Sequence, residues 1–535
     1  MKLRFLALIV SVLSSLSLFA ADDHRHAMDP NEKLGAVSFP ISCAAEVQKP
    51  FERALALLYS FEYEEADKQF QDVAVSDPHC AMAYWGQAMS RYHQLWGRPS
   101  KNDLREGWEL AQQAQKLQPK TQRERDYIGA IAVFYHDGEA IDHKKRAVVY
   151  AGAMEGVYKR NPKDREAGVF YALSLLGSEP DDDPTLANPK KAVAILSKLF
   201  DEQPDHPGIA HYIIHACDNP AMANLGLAAA RKYASIAPSS AHAVHMPSHI
   251  FARLGLWQDS INSNRAAIQA ADKMDTMHLH TAHHRMHSMD FMQYAYLQIG
   301  DDEKAKATFD DLARMSRSDI EEGYKDYYDD MFTGFSARYA IERRQWKEAL
   351  ALQPVAGAAP NVQVFTYWAH AVAAGHQHDA AAANDALQHY NALLEAVRKG
   401  PKPYVADGLK DEQQVVQAWA DYAASNNDEA LTLLRSVADH QDKIGKGETA
   451  LPAREMLADM LLEMNRPQDA LAEFEISLRT DPNRFNGLYG AAQAAEMAQQ
   501  KQKATGYYAQ LLKNCQGANS DRPELARAKT LVAAK

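Results

Sequence analysis

Two stretches, DEQPDHPGIAHYIIHACDNP (201–220) and IAPSSAHAVHMPSHIFARLG (236–255), carry three histidines each: His206, His211 and His215, then His242, His245 and His249. His211 and His245 are 34 residues apart, as are His215 and His249, and so are Pro204 and Pro238. The two clusters are one motif placed twice. The i, i+4 spacing inside each copy puts both imidazoles on one helical face. Such a pair can hold one transition-metal ion from a single helix, and neutral imidazole is the commonest protein ligand for Zn, Cu and Fe. Asp218 lies three residues after His215, and HTAHHRMHSMDFMQYAYLQIG (280–300) adds His283, His287, Asp290 and Tyr294. His211, His215, His242, His245, His249 and His287 therefore form the candidate ligand set. Asp218 and Asp290 are placed to complete a coordination sphere or to orient an imidazole. The absence of thiolates from the set argues against a purely structural, cysteine-type zinc site. Two other readings stay open: a groove for a peptide or organic ligand with imidazoles as donors, and a duplicated packing solution without any ligand. No HExxH, GxSxG elbow, Gly-rich phosphate loop or CxxC occurs in the chain.

The elements that hold these residues must come from a long chain. At 535 residues it exceeds what one compact core usually organises, so several domains or an elongated repeat are expected. Lys2 and Arg4 precede an apolar run from Phe5 to Phe19, small residues at Ala20 and Ala21, and then Asp22 and Asp23. That is the layout of a secretory signal peptide over 1–21, too short for a membrane span, and it predicts an exported product, periplasmic or secreted. The balance of 58 Lys and Arg to 70 Asp and Glu argues against nucleic acid, which requires a basic face. An oxidising compartment would permit a Cys43–Cys80 bridge, although spacing alone does not establish one.

Ala, Leu, Gln, Glu, Met and Lys dominate, and no alternating strand pattern stands out, so an all-α chain is expected. ALALLYSFEYEEADKQFQDVAVSDPHCAMAYWGQAM (54–89) places Ala66 and Phe70 one turn apart and closes with Asp77-Pro78. MLADMLLEMNRPQDALAEFEISLRTDPNRFNGLYGAA (456–492) repeats this with Ala470, Phe474 and Asp481-Pro482, and Ala504 and Tyr508 follow 34 residues later. Weaker matches occur at Ala305…Phe309, Trp346…Ala349, Gly375…Ala380 and Ala430…Leu434. The pattern resembles the tetratricopeptide repeat family: helical hairpins with a small residue at the helix crossing, an aromatic in the second helix and a closing Pro. The resemblance implies a solenoid, a right-handed superhelix with a concave groove. The expected organisation is a leader over 22–46, a solenoid carrying the histidines over 47–320 and a C-terminal solenoid over 321–535. Residues 179–191, 353–361 and 398–411 read as linkers.

In that family, positions 2, 5 and 9 of the first helix line the groove. The resemblance therefore implies that His242, His245 and His249 face it, with His211 and His215 from the preceding unit and His287, Asp290 and Tyr294 from the following one. His206 falls at the groove edge, and His283 forms a further i, i+4 pair with His287. Trp85 and His93, in AMAYWGQAMSRYHQLWGRPS (81–100), fall near groove positions too, although aromatic residues at helical spacing more often belong to a core. SFPISCAAEVQKPFERALALLYSFEYEEA, DPHCAMAYWGQAM and HMPSHIFARLG are similar to exported bacterial tetratricopeptide proteins distantly related to the tetratricopeptide repeat protein 38 group. That resemblance brings no reaction with it. The expected function is an exported binding protein whose groove holds a transition metal (Zn, Cu or Fe) and captures a peptide, protein or small ligand. The alternatives are a metal-dependent hydrolase or oxidase on the same frame, and a protein-interaction scaffold with structural histidines.

Overall fold

Small and aromatic residues in the predicted register become interlocking contacts between paired helices. In the computed structural model, Ala66 and Phe70 of the Tyr63–Ser76 helix are fully buried. Gly86 of the next helix, Ala81–Ser90, lies against Phe70, where a Cβ would come within 2.4 Å of the ring. Ala470, Phe474 and Gly490 repeat the arrangement near the C-terminus, with 2.2 Å from a Cβ at Gly490 to the Phe474 ring. Close packing of this kind is why the crossing residue must be small. One of the weaker matches shifts by a turn. Ala380 is exposed as the first residue of the Ala380–Lys399 helix, which Asp379 caps, and Ala383 takes the buried crossing position.

The structure describes residues 31–95, 97–180, 183–275, 281–320 and 322–533. The predicted signal peptide lies outside them, and so does the start of the leader. Among the described residues there is no strand, and successive helices pack on one another along the chain as an all-α helical-hairpin solenoid of the tetratricopeptide type. Lys33–Lys535 forms one compact unit. No helix among the described residues is long and apolar enough to cross a membrane.

The predicted linkers are shorter than their composition suggests. Helix Ala187–Glu202 starts inside 179–191, Pro360 opens the helix Pro360–His376, and Val405–Gly408 forms a short helix inside 398–411. Pro at the first helical turn is compatible with the fold because its missing N–H has no partner to lose there. The leader is bolted down. The Ala36 N–H donates to the Asp205 carbonyl (2.9 Å), the Phe39 ring is buried against Phe51, Trp85 and Tyr127, and Cys43 is disulfide-bonded to Cys80.

The C-terminal repeats also fold back onto the middle of the chain. Trp257 Nε1 donates to the Asn483 carbonyl (2.8 Å), and Asn483 Nδ2 donates to the Gly255 carbonyl (3.2 Å). Gly255 has φ +62°, and a Cβ there would meet the Pro482 carbonyl oxygen at 2.2 Å, so this approach requires glycine. The buried Arg484 then spans to Glu342 and Glu455. The fold-back carries residues 445–451 across the histidine-rich helices.

Candidate metal centre

Three consecutive groove helices supply the site. Pro207–Cys217 starts with Pro207 in its first turn, and the ring of its N-cap His206 accepts from the Ile209 N–H (3.2 Å). The next groove helix is divided. Ser240 caps Ala241–His245, and Pro247 opens a second piece, Pro247–Arg253. Pro247 cannot donate to the preceding turn, so the HMPSHI stretch is two short helices rather than one continuous first helix. The third helix is Ala282–Gln298.

His211, His215 and His242 converge so that one ligand atom from each lies within 4.8 Å of the others. His211 Nε2 is 3.0 Å from His215 Nε2 and 3.1 Å from His242 Nε2. His245, His249 and His287 converge in the same way, with His245 and His249 Nε2 atoms 3.0 Å apart. Phe61 packs against all three rings of the first set, with centroids 4.4 to 5.7 Å away. Phe291 packs against all three of the second, at 4.7 to 5.3 Å.

The outward nitrogens decide the tautomers. His211 Nδ1 lies 2.6 Å from the Tyr59 carbonyl oxygen, which only accepts, so Nδ1 carries the proton. His245 Nδ1 lies 2.6 Å from Asn264 Oδ1, and Asn264 Nδ2 already donates to the Ser260 carbonyl (2.8 Å), so the ring again donates. His249 Nδ1 donates to Asp218 Oδ2 (2.8 Å), and Asp218 Oδ1 accepts from Arg253 Nε (2.9 Å). Glu448 Oε1 comes within 3.4 Å of both His249 Nδ1 and Arg253 Nη2. In their neutral forms, all three rings turn a bare Nε2 lone pair inward. Orienting a metal-ligating imidazole through a hydrogen bond from its other nitrogen is the usual support for such sites.

Burial disfavours charge throughout the cluster. It lowers His211 to about 3, assisted by repulsion from His249, and lowers His287 to about 4 for the same two reasons. It also holds His215, His242 and His245 well below the usual imidazole range, and repulsion from neighbouring histidines adds to the effect. These five rings are neutral at pH 7, the form in which imidazole binds metal. His249 is the exception: burial opposes its charge, but Asp218 and Glu448 outweigh burial and raise it to about 9. Burial and the neighbouring Glu448 raise Asp218 in turn.

Other predicted residues sit elsewhere. Asp290 does not join the imidazoles; it pairs with Arg338 (2.7 Å) and accepts from the Thr449 hydroxyl (3.0 Å). His206 is buried 3.2 Å from Glu166, and its ring caps the Pro207–Cys217 helix. Trp85 belongs to the aromatic core, as its helical spacing allowed. Tyr294 is buried and accepts a hydrogen bond from Arg484. His283 stacks on Tyr324, with centroids 4.4 Å apart, beside His284. His93 is exposed and stacks on Tyr63. The Cys217 thiol is buried and pushed up to about 12 by that burial and by Asp218, so it is not a nucleophile at neutral pH.

Four supporting groups lie outside the sequence motif. Arg253, one turn beyond His249, was findable from the same i, i+4 spacing. The Tyr59 carbonyl, Asn264 and Glu448 carry no local signal, since each comes from a different element. A cavity of about 1090 Å³ is lined by Asp290 and Thr449 together with Arg98, Arg338, Lys446 and Trp368.

No family model matches the chain, and no curated protein matches its sequence. Among solved structures, a human IFIT1 dimer with m7Gppp-AAAA is 12% identical and has a TM-score of 0.37, the match covering 85% of this chain and 94% of that one. Naa15/Naa10 bound to HypK-THB is 13% identical with a TM-score of 0.24, covering 90% and 72% respectively. Likenesses this distant carry no functional inference. The helical-hairpin assignment rests on the packing of the chain's own helices.

Proposed function

We propose that the chain is an exported tetratricopeptide-type binding protein that holds a transition metal in its histidine cluster and captures a small polar ligand or peptide end in the adjoining cavity. One observation carries the metal reading. His211, His245 and His249 each commit Nδ1 to an outward acceptor and aim Nε2 at other imidazole nitrogens 3.0 to 3.1 Å away. Lone pairs at that separation repel unless a proton or a cation lies between them. Ligand nitrogens around a tetrahedral ion with Zn–N of about 2.0–2.1 Å are about 3.3 Å apart, close to these spacings. A proton satisfies only one pair in each set, from His215 or His242 to His211 and from protonated His249 to His245, whereas the convergence of three ring nitrogens in each set favours a cation.

The cavity favours ligand capture because its walls set Arg98, Arg338, Lys446 and Asp290 beside Trp368. A second reading is a metal-dependent hydrolase or oxidase, in which the ion keeps an exchangeable position. The charged leader sequence and the Cys43–Cys80 disulfide support export to an oxidising compartment. The HMPSHI similarity to exported bacterial tetratricopeptide proteins agrees with that destination.

Protein purified without a histidine tag is expected to carry stoichiometric metal by elemental analysis, and the His245→Ala/His249→Ala variant to carry less metal than the unmodified chain while retaining helicity by circular dichroism. Absence of metal after loading with Zn2+, Cu2+ and Fe2+ would leave the packing reading in its place. Asp218→Asn removes the carboxylate that orients His249 and is expected to weaken metal affinity about 10–100-fold. Competition against a chromophoric chelator measures this, and an unchanged dissociation constant would remove Asp218 from the supporting role.

A further inference from the structure

We infer that the cluster is built for two ions side by side, one in each histidine triad. The inference rests on the metal reading above and adds a count to it. The first triad takes His211 and His215 from one repeat and His242 from the next; the second takes His245 and His249 from that next repeat and His287 from the one after it. Each triad is thus an i, i+4 pair completed by a single imidazole from the following groove helix. Moving one repeat along the solenoid regenerates the whole constellation, not only the paired histidines.

The surroundings are duplicated as well. Each pair has a member whose Nδ1 donates outward, His211 to the Tyr59 carbonyl and His245 to Asn264. Each triad has its own phenylalanine against all three rings, Phe61 for one and Phe291 for the other. The triads are neighbours: ring centroids of His215 and His249 are 6.3 Å apart, and those of His242 and His245 are 6.2 Å apart.

Ligand number points the same way. A tetrahedral ion takes at most four imidazoles, and six converge here. Divided three and three, they make two sites that each leave a position for water or a small anion, the pattern of exchangeable rather than closed zinc sites. Asp218 and Glu448 do not make a third site, because they approach His249 through Nδ1 while its Nε2 faces the second triad. The series ends after two because the next repeat has Asp290 and Tyr294 at the paired positions. Arg338 and Arg484 already engage them.

The test is a count on the full metal-free chain. Titration with Co2+, followed by equilibrium dialysis and elemental analysis, is expected to give two ions per chain. The His211→Gln/His215→Gln variant and the His245→Gln/His287→Gln variant are each expected to keep one, with helicity checked by circular dichroism. One ion in the unmodified chain, abolished by either variant, would overturn the two-site inference and leave the metal reading standing. No bound Co2+ or Zn2+ in the unmodified chain would overturn both. The count on the unmodified chain decides even if a variant fails to fold.

Discussion

Loading the metal-free chain with Zn2+ is expected to raise its free energy of unfolding by about 4 kcal/mol per occupied site when free zinc is a thousandfold above the dissociation constant. The increment arises because the converging Nε2 atoms exist only in the folded chain, so binding pulls the equilibrium toward it. Residual affinity of the unfolded chain for zinc would reduce the gain. Urea unfolding with and without Zn2+ measures the effect, and overlapping curves would sink the proposed centre.

The pH dependence of that binding has a definite sign. Five of the imidazoles are neutral at pH 7 and enter coordination without giving up a proton. Burial opposes the charge on His249, but Asp218 and Glu448 hold it up to about 9, so this ring must release a proton before its Nε2 can ligate. Zinc affinity is therefore expected to rise between pH 7 and 9, with release of about one proton per chain at pH 7. In the metal-free chain the linkage runs the other way. The raised His249 contributes stability below its unfolded value near 6.5, and that contribution is lost as pH rises through 9.

Arg484→Ala is expected to destabilise the chain by about 3–5 kcal/mol. Arg484 reaches both Glu455 oxygens from Nε and Nη2 (2.9 Å each) and Glu342 Oε1 from Nη2 (2.8 Å), and it also donates to the Tyr294 hydroxyl. All four side chains are buried. Removing the guanidinium leaves two carboxylates without their common counterion where water does not reach. That loss is larger than the net worth of the ion pairs themselves. Arg484→Lys keeps the charge but loses the planar fork, so an intermediate loss is expected. The measurement is the urea midpoint, and a change below about 1 kcal/mol for the alanine variant would show that this cluster does not hold the fold-back together.

Local spacing made the hairpins legible. Ala66 with Phe70 and Ala470 with Phe474 lie one helical turn apart, and their packing partners recur at fixed offsets, so short-range sequence carries the information. The linkers are shorter than composition implies: Pro189, Pro360 and Pro403 look like breaks, yet Pro189 and Pro360 lie in helices and Pro403 precedes Val405–Gly408. Trp85 and His206 show the limit of register arguments: a residue's number within a repeat does not say whether it faces the groove or caps and fills the layer behind it.

The chain's own sequence determined that two identical imidazole pairs stand one repeat apart on successive groove helices, because the 34-residue period and the i, i+4 spacing are both local. Only the tertiary structure decided what surrounds them: Tyr59 from 152 residues before His211, Asn264 from the neighbouring helix, and Glu448 carried in by the fold-back of the C-terminal repeats. The physical reason is curvature. Small rotations between stacked hairpins accumulate along a solenoid, and where distant repeats finally meet depends on their sum rather than on any one segment.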